Sequence, residues 1–147
     1  MTEIRNLQQE DFHHLLTIET ESFNGGYSPY FIKMIPVLFG NVSYIALEGD
    51  KALGYAAASI EQGEPSRGWI ISMAVRPQAR GQNLGKQLML ASLAALKQTG
   101  VRTVQLTVAP ANQIAINLYQ QLGFTEAGHM PDYFGPGQHR LLMIKNM

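Results

Sequence analysis

The residues best suited to chemistry lie in one stretch of this 147-residue sequence, AVRPQARGQNLGK at positions 74–86. The stretch joins an apolar segment to a long apolar helix, and Arg76, Arg80 and Lys86 surround two glycines and an asparagine in it. A helix start exposes backbone N–H groups that have no intrahelical partner, and the helix macrodipole is positive there. Together with the basic side chains, these groups are suited to bind an anion such as a pyrophosphate.

The same stretch does not fit the two best-known nucleotide-binding loops. A P-loop needs GxxxxGK followed by Ser or Thr, whereas GQNLGKQ has three residues between its glycines and a Gln after Lys86. A dinucleotide fingerprint needs GxGxxG, and that spacing is absent here. Two interpretations remain: a plain helix N-terminus whose glycines serve the turn, or an anion site built from the same backbone groups.

A second candidate block is VAPANQIAINLYQQLGF at positions 108–124. Asn112 and Tyr119 are seven residues apart, which places them on one helix face with the small Ala115 between them. A linear ligand could lie along that face, between the Asn amide and the Tyr hydroxyl. The simpler interpretations are an N-cap for Asn112 and an aromatic at the edge of the core for Tyr119. A stripe of Ile114, Leu118 and Leu122 is predicted to bury this helix.

The elements that must position these blocks follow from apolar spacing and turn residues. Strands are predicted at 2–7, 42–48, 52–62, 69–75 and 102–108, with two more around PDYFGPG (131–137), and helices at 9–23, 30–39, 84–99 and 112–122. Pro36 is expected to limit the second helix, and the acidic residues of the first are expected opposite its apolar side. The order β-α-α-β-β-β-α-β-α-β-β predicts an α/β (α+β) fold in one domain, residues 1–147. Its mixed, mostly antiparallel sheet has about six or seven strands, with helices on both faces.

Composition excludes several functional classes. Eleven Lys and Arg residues balance eleven Asp and Glu residues, so no net field attracts the chain to nucleic acid or to an anionic membrane. The absence of cysteine removes thiol nucleophiles, disulfides and cysteine-based metal sites, and no other residues support a metal site. No signal-peptide pattern and no apolar run of bilayer length is present. We therefore expect a soluble, cytoplasmic protein whose anion site is local.

Both blocks resemble the GNAT superfamily of acetyl-CoA-dependent N-acetyltransferases. VRPQARGQNLGKQL is similar to the family's pyrophosphate loop, Q/R-x-x-G-x-G/A, with Asn83 in place of the first motif glycine and matches at Arg80, Gln82, Leu84 and Gly85. Asn is the side-chain-bearing residue that best tolerates positive φ, so the turn should survive. The downstream block resembles N-x-x-A-x-x-L-Y-x-x-x-G-F, with matches at Asn112, Ala115, Leu118, Tyr119, Gly123 and Phe124. PDYFGPGQHRLLM resembles the closing hairpin of the branch that contains ribosomal-protein alanine and archaeal protein N-terminal acetyltransferases.

The resemblance implies the GNAT fold, acetyl-CoA as cosubstrate and direct attack of an amine on its thioester. Pantetheine would insert between the strands WIISMAV and RTVQLTV, and the N–H groups around residues 73–75 would polarise the acetyl oxygen. Tyr119 would donate a proton or a hydrogen bond to the departing thiolate, since a thiol titrates at about pH 8.5 and a tyrosine at about pH 10. The acetyl-CoA contacts carried over are Met73, Ala74, Val75, Arg80, Gly81, Gln82, Asn83, Leu84, Gly85, Lys86, Asn112, Ala115 and Tyr119.

The acceptor side departs from the family pattern. In the protein N-terminal branch, a Glu or His on the strand before Asn112 often helps to deprotonate the amine, and Thr107 stands at that position. A water relay remains open, as do four other candidate bases: Glu61, Asp132, Tyr133 and His139. Substrate contacts are expected from Thr107 and from segments 23–31 and 130–139, with Tyr27 and Tyr133 preferred.

Three functions stay open at this point. The closing hairpin favours acetylation of a protein or peptide N-terminus, whereas Thr107 favours a small-molecule amine such as an amino acid, a polyamine or an antibiotic. A catalytically weak acetyl-CoA-binding module is the third, because Asn83 replaces a motif glycine, although Tyr119 argues against it. The sequence does not decide between a monomer and a homodimer.

Overall fold

The computed structural model describes residues 1–22 and 27–147. The strands are β1 (Glu3–Asn6), β2 (Tyr44–Glu48), β3 (Lys51–Ile60), β4 (Arg67–Val75), β5 (Thr103–Val108), β6 (Thr125–Met130) and β7 (Arg140–Asn146). The helices are α1 (Phe12–Ser22), α2 (Pro29–Phe39), α3 (Leu84–Gln98) and α4 (Gln113–Gln121). Three short 3-10 helices, Gln9–Asp11, Gly40–Val42 and Pro77–Ala79, were not predicted.

The strands form a seven-stranded mixed sheet in the order β1-β2-β3-β4-β5-β7-β6. The pairs β1–β2, β2–β3, β5–β7 and β6–β7 are antiparallel, whereas Arg67 to Trp69 of β4 pair in parallel with Thr103 to Gln105 of β5. The predicted fold class, a mixed and mostly antiparallel sheet combined with helices, is therefore confirmed.

Residue contacts divide the chain into two compact units. The first unit comprises Met1–Ser59 and Ile70–Thr99, and apolar clusters cover both faces of its strands. On one face Leu15, Ile18, Ile32 and Ile35 of α1 and α2 pack with Tyr55 of β3. On the other face residues of α3 pack with β2 and β3, in a cluster of Ala46, Leu53, Ala56, Ala79, Leu84 and Leu88. Apolar residues on both faces explain why β3 is an almost continuous apolar run.

The second unit comprises Ile60–Trp69 and Gly100–Met147. Burial alternates along β5, where Val104, Leu106 and Val108 are buried and the residues between them are partly exposed. All six residues of β5 pair with β7, from Thr103 with Asn146 to Val108 with Leu141. This two-residue period is that of a strand covered more on one face than on the other.

Pro36 does not limit the second helix as predicted. It lies inside α2, which continues to Phe39. Ser28 caps the helix start by accepting a hydrogen bond from the Phe31 N–H at 3.3 Å, and Ile32, Ile35 and Pro36 are buried. Burial of this apolar face and the N-cap therefore offset the hydrogen bond that Pro36 removes.

Two predicted helix faces are also wrong. Glu19 does not lie opposite the apolar side of α1, because it is buried together with Leu15 and Ile18. On α4, Ile114 is 86% exposed, so the stripe of Ile114, Leu118 and Leu122 is not the one that buries the helix. The buried side chains of this segment are instead those of Ile116, Tyr119 and Leu122, which follow a spacing of i, i+3 and i+6. None of the described helices is long and apolar enough to cross a bilayer.

Candidate active site

The end of β4 leads directly into the predicted anion-binding loop. Ala74 is buried, while Met73 and Val75 pack against the cluster that contains α3 residues. Strand β3 approaches this segment closely, because a Cβ added to Gly54 would lie 2.7 Å from the carbonyl oxygen of Ala74. The Arg76 N–H donates to the Leu53 carbonyl at 2.8 Å. The loop therefore starts from a strand end that is fixed by its neighbour.

The loop turns into α3 through two residues with positive φ, Gly81 at 86° and Asn83 at 64°. Asn83 is the N-cap of α3 in the left-handed conformation, as predicted, and its side chain makes no capping hydrogen bond. The Gln87 N–H donates to the Asn83 carbonyl at 3.2 Å, so the N–H groups of the three preceding residues have no partner within the helix. Leu84, Gly85 and Lys86 thus present an uncapped set of donors at the positive end of the helix dipole.

Two of the three basic residues remain available to an anion at this helix start. Arg76 instead pairs with Glu21 of α1, its Nη2 donating to Oε1 at 2.9 Å, and its Nη1 donates to the Ala52 carbonyl at 3.1 Å. The hydrogen bond from Arg76 lowers the pKa of Glu21. Arg80 is exposed and its Nε donates to the Val75 carbonyl at 3.3 Å. Arg80 and Lys86 are therefore the cations of the loop.

In the second unit, α4 carries the predicted Asn and Tyr. Asn112 is the N-cap of α4, and its Oδ1 accepts a hydrogen bond from the Ala115 N–H at 3.2 Å. The N-cap interpretation of Asn112 therefore describes its geometry, which leaves its amide nitrogen to act on a ligand. Ala115 is partly buried one turn before Tyr119.

Tyr119 is buried, with 7% of its surface exposed, and its ring meets Phe124 edge-on at 6.0 Å between centroids. Burial raises the pKa of Tyr119 to about 12, against a smaller opposing effect of the Arg140 charge. Within residues 1–22 and 27–147, no hydrogen bond to its hydroxyl is seen. Full proton transfer to a thiolate of pKa about 8.5 would then cost about 5 kcal/mol. Tyr119 is therefore better suited to donate a hydrogen bond than to give up its proton.

Thr107 is held by a cation. Arg140 Nε donates to Thr107 Oγ1 at 3.3 Å, and Arg140 Nη2 donates to the Thr107 carbonyl at 3.0 Å. The Arg140 guanidinium also lies over the Phe134 ring, 5.2 Å from its centroid. A hydroxyl beside an arginine cannot accept a proton from an ammonium group near neutral pH.

Three of the four other base candidates, Glu61, His139 and Asp132, already accept hydrogen bonds. Glu61 Oε1 accepts from Trp69 Nε1 at 2.8 Å, and its Oε2 accepts from Arg67 Nη1 at 2.9 Å. His139 Nδ1 accepts the Asp132 N–H at 3.1 Å, which assigns the proton of a neutral ring to Nε2. The same Nδ1 lies 3.7 Å from Asp132 Oδ1.

Asp132 and the fourth candidate, Tyr133, lie in the turn between β6 and β7. Asp132 has positive φ, 54°, and its Oδ1 accepts the Gly137 N–H at 2.8 Å, so the carboxylate shapes the turn. Tyr133 is 43% exposed and its ring contacts Phe134 edge-on. None of these contacts singles out a base in the second unit.

Tyr27, a predicted substrate contact, is anchored to β4. Its hydroxyl donates to the Ile71 carbonyl at 2.9 Å, and its ring lies 4.9 Å from that of Phe31. Residues 23–26 of the predicted substrate segment lie outside the described residues. Tyr27 therefore connects the start of α2 to the strand that precedes the anion-binding loop.

Glu19 is a buried carboxyl group that the sequence pattern did not indicate. Glu19 is 3% exposed, and its Oε1 accepts a hydrogen bond from the hydroxyl of Tyr55, which itself lies 2.9 Å from Ser72 Oγ. The spacing of Leu15, Ile18 and Glu19 is the signal that could have found it, because residues i, i+3 and i+4 share one helix face. An ionisable residue on the apolar face of a helix is unusual and needs an explanation.

Comparison with known proteins gives consistent matches over most of the chain. A sequence profile described as the Acetyltransferase (GNAT) family matches residues 1–124. An N-alpha-acetyltransferase of Sulfolobus acidocaldarius is 31% identical over 152 residues, covering 96% of this chain and 90% of the relative. Ard1 from Thermoplasma volcanium superposes with a TM-score of 0.91 at 20% identity, covering 99% of this chain and 97% of that one. The ribosomal-protein-S18-alanine N-acetyltransferase from Escherichia coli gives a TM-score of 0.85 at 24% identity, with 99% and 94% coverage.

Proposed function

Because the chain belongs to the acetyltransferase (GNAT) family of acyltransferases, we propose that it transfers the acetyl group of acetyl-CoA to the α-amine of a protein or peptide N-terminus. Acetyl-CoA supplies an activated thioester, and the residues of the chain bind it, orient it and stabilise the charge that the reaction develops. The relatives named as N-terminal and ribosomal-protein alanine acetyltransferases support this class of acceptor.

The uncapped start of α3 is the observation on which the proposal depends. Asn83 takes the left-handed conformation that the family loop requires at this position, without using its side chain as a cap. The N–H groups of Leu84, Gly85 and Lys86 can then donate hydrogen bonds to a ligand, and the exposed Arg80 adds a positive charge. This donor set fits the pyrophosphate of acetyl-CoA. The predicted insertion of pantetheine between β4 and β5, with contacts to Met73, Ala74 and Val75, remains part of the proposal.

Tyr119 is assigned to the leaving group. Its hydroxyl stays protonated at physiological pH because burial raises its pKa to about 12. A buried hydroxyl that donates to no other group in the described part of the chain can stabilise negative charge on the departing sulfur. Tyr119 thus acts as a hydrogen-bond donor whose proton need not be transferred completely.

A small-molecule amine is the second candidate acceptor. The observation that favours it is the Arg140–Thr107 contact, because a cation occupies the place where N-terminal acetyltransferases often have a base. A small amine with a low pKa could bind already deprotonated, and one that carries a carboxylate could pair with the Arg140 cation. The substrate class is therefore the first question for experiment.

Release of CoA from acetyl-CoA should be measured against a panel of acceptors. The panel contains peptides with a free α-amine and, for comparison, the same peptides blocked at the N-terminus and carrying one lysine. It also contains amino acids, polyamines and an aminoglycoside. We expect kcat/KM for the free N-termini to exceed that for every other acceptor by about tenfold or more. A preference for a small amine would favour the second candidate, and acetyl-CoA binding without any turnover would contradict acetyl transfer.

Replacing Arg80 should weaken cosubstrate binding. Loss of a charge-assisted hydrogen bond costs about 1.5–3 kcal/mol, so Arg80→Ala should raise the Kd for acetyl-CoA by about 10- to 100-fold in calorimetry. The dependence of Kd on ionic strength should also become shallower. Arg102→Ala, which removes an exposed arginine outside the loop, is the matched control and should leave Kd unchanged. Equal affinities for the Arg80 variant and the wild type would contradict the assignment of the loop.

A further inference from the structure

Glu19 is a buried carboxyl group for which the proposed function has no role so far. It is 3% exposed, Oε1 accepts from Tyr55, and Oε2 has no hydrogen-bond partner in the part of the chain that the structure describes. Burial raises the pKa of Glu19, opposed by the Tyr55 hydroxyl, the Tyr27 backbone N–H and the Ser72 hydroxyl. None of these neighbours is a cation. A carboxylate buried in this way lacks the positive partner that normally accompanies a buried charge.

The hydroxyl groups beside Glu19 lead from the buried carboxyl to a partly exposed residue. Tyr55 is fully buried, and its hydroxyl lies 2.9 Å from Ser72 Oγ on β4. Ser72 is partly exposed and immediately precedes residues 73–75, which are assigned to the acetyl-CoA thioester. Ile71 packs with one apolar cluster and Met73 with the other, although residues two apart share a face on a regular strand. Ser72 therefore lies between a residue that borders one apolar cluster and a residue that borders the other.

The Tyr55 hydroxyl has one proton, so only one of its two hydrogen bonds can use it. When Glu19 is ionised, Tyr55 donates to Glu19 and Ser72 donates to Tyr55. When Glu19 is protonated, Glu19 donates to Tyr55, Tyr55 donates to Ser72, and the Ser72 proton faces outward. The three groups therefore have two hydrogen-bond arrangements. Conversion of the first into the second adds one proton at Ser72 and leaves Glu19 protonated.

We propose that Glu19, Tyr55 and Ser72 form a proton-acceptor chain that deprotonates the acceptor amine and binds it as a cation. The inference rests on the proposed function and specifies how its substrate becomes reactive. The ammonium group gives one proton to Ser72 Oγ, the Ser72 and Tyr55 protons each move one place, and Glu19 becomes a carboxylic acid. The neutral amine then forms the C–N bond as the C–S bond breaks. The nitrogen loses its second proton to the thiolate, the amide keeps the third, and Glu19 returns its proton to water.

The chain also fits the chemical class of the acceptor. A protonated primary amine at Ser72 supplies the positive charge that the buried carboxylate lacks. Tyr27, whose backbone N–H faces Glu19 and whose hydroxyl donates to the Ile71 carbonyl, borders the same position. The acceptor expected here is an ammonium group, and an alcohol or a thiol would leave the Glu19 charge unpaired.

The chain is tested by removing the charge of Glu19 while keeping its shape. Glu19→Gln should lower kcat/KM for the best amine by about 100-fold at pH 7, as expected for loss of a general base, with an unchanged Kd for acetyl-CoA. The loss should shrink as the pH approaches the pKa of the amine, about 8 for an α-amine, because the substrate then deprotonates by itself. Glu48→Gln, an exposed glutamate at the end of β2, is the matched control and should keep wild-type kinetics. A merely structural Glu19 would give a loss that does not depend on pH.

Ser72→Ala keeps the inference testable if the Glu19 variant does not fold. Ser72 is partly exposed, so its replacement should leave the fold intact and still lower kcat/KM about tenfold or more, with the same recovery at high pH. A wild type that acetylates amines, together with Ser72 and Glu19 variants of equal activity, would overturn this inference and leave the proposed function standing. A wild type that acetylates no amine in the panel would overturn both.

A second measurement does not depend on activity. Because the pKa of Glu19 is raised in the folded protein above its ordinary value of 4.5, its contribution to stability is complete below pH 4.5. That contribution is lost as the pH rises through the folded pKa. Glu19→Gln lacks this loss, so its Tm relative to the wild type should rise as the pH is raised above 4.5, by about 2–4 °C for each 1 kcal/mol that the wild type loses. A difference that stays constant with pH would show that Glu19 is not the titrating group, and would contradict the chain.

Discussion

Tyr119→Phe should lower kcat by about 100-fold or more while leaving the Kd for acetyl-CoA nearly unchanged. The substitution removes only the hydroxyl, and the ring that packs against Phe124 stays in place. The effect follows from the loss of a buried donor aimed at developing negative charge, which is needed in the transition state and not in the bound ground state. Steady-state kinetics with the best acceptor and calorimetry with acetyl-CoA provide the two readouts.

The pH dependence separates this role from full proton transfer. Because the pKa of Tyr119 is about 12, its ionisation should produce no decline in wild-type kcat up to about pH 10. Tyr44→Phe removes the hydroxyl of a partly buried tyrosine on β2, outside the assigned site, and is the matched control, with no change expected. If Tyr119→Phe had wild-type kcat, or lost affinity for acetyl-CoA and not rate, its assignment to the leaving group would be wrong.

Asn83→Val should damage both the loop and its ligand. Asn83 has a φ of 64°, a conformation that a β-branched residue adopts only with strain. The substitution should lower the free energy of unfolding by about 1–3 kcal/mol and raise the Kd for acetyl-CoA by at least about tenfold, because the N–H groups of residues 84–86 lose their orientation. Denaturant unfolding and calorimetry measure the two effects.

Two further replacements at position 83 separate backbone strain from anion binding. Asn83→Gly restores the glycine of the family loop and loses no capping bond, since the Asn83 side chain makes none; stability and Kd should both stay close to wild type. Asn83→Asp keeps the tolerance for positive φ but adds a negative charge at the anion site, so it should weaken acetyl-CoA binding without destabilising the fold. If the Val and Gly variants bound acetyl-CoA equally well, the geometry of this turn would not matter for the site.

The losses of rate expected for the Tyr119 and Glu19 variants differ in their dependence on pH. Loss of the Tyr119 hydroxyl affects the leaving group, so raising the pH should not restore the rate. Loss of the Glu19 carboxyl affects deprotonation of the amine, so raising the pH should restore most of it. Parallel pH–rate profiles for the two variants would therefore show which protonation step each residue serves.

The sequence alone determined the family and the features that depend on local geometry. The loop at 80–86 and the block from Asn112 to Phe124 were recognisable because a turn, a helix start and a helix face are built from residues close together in the chain. The positive φ of Asn83 followed in the same way from the conformational preferences of one residue type. Strand and helix positions were also predictable, apart from the short 3-10 helices.

The tertiary structure decided which polar side chains pair with other residues of the chain and which remain available to a ligand. Arg76 belongs to the basic stretch in sequence, but in the structure it forms an ion pair with Glu21, 55 residues away. The candidate base Glu61 is engaged by Arg67 and Trp69, whereas Glu19 is isolated by packing among apolar residues that come from α2, β3 and β4. Burial and hydrogen-bond partners set the pKa of an ionisable side chain. Both depend on residues distant in sequence, so only the folded chain could distinguish the carboxylates that are exposed or paired with a cation from Glu19, which is buried beside hydroxyl groups.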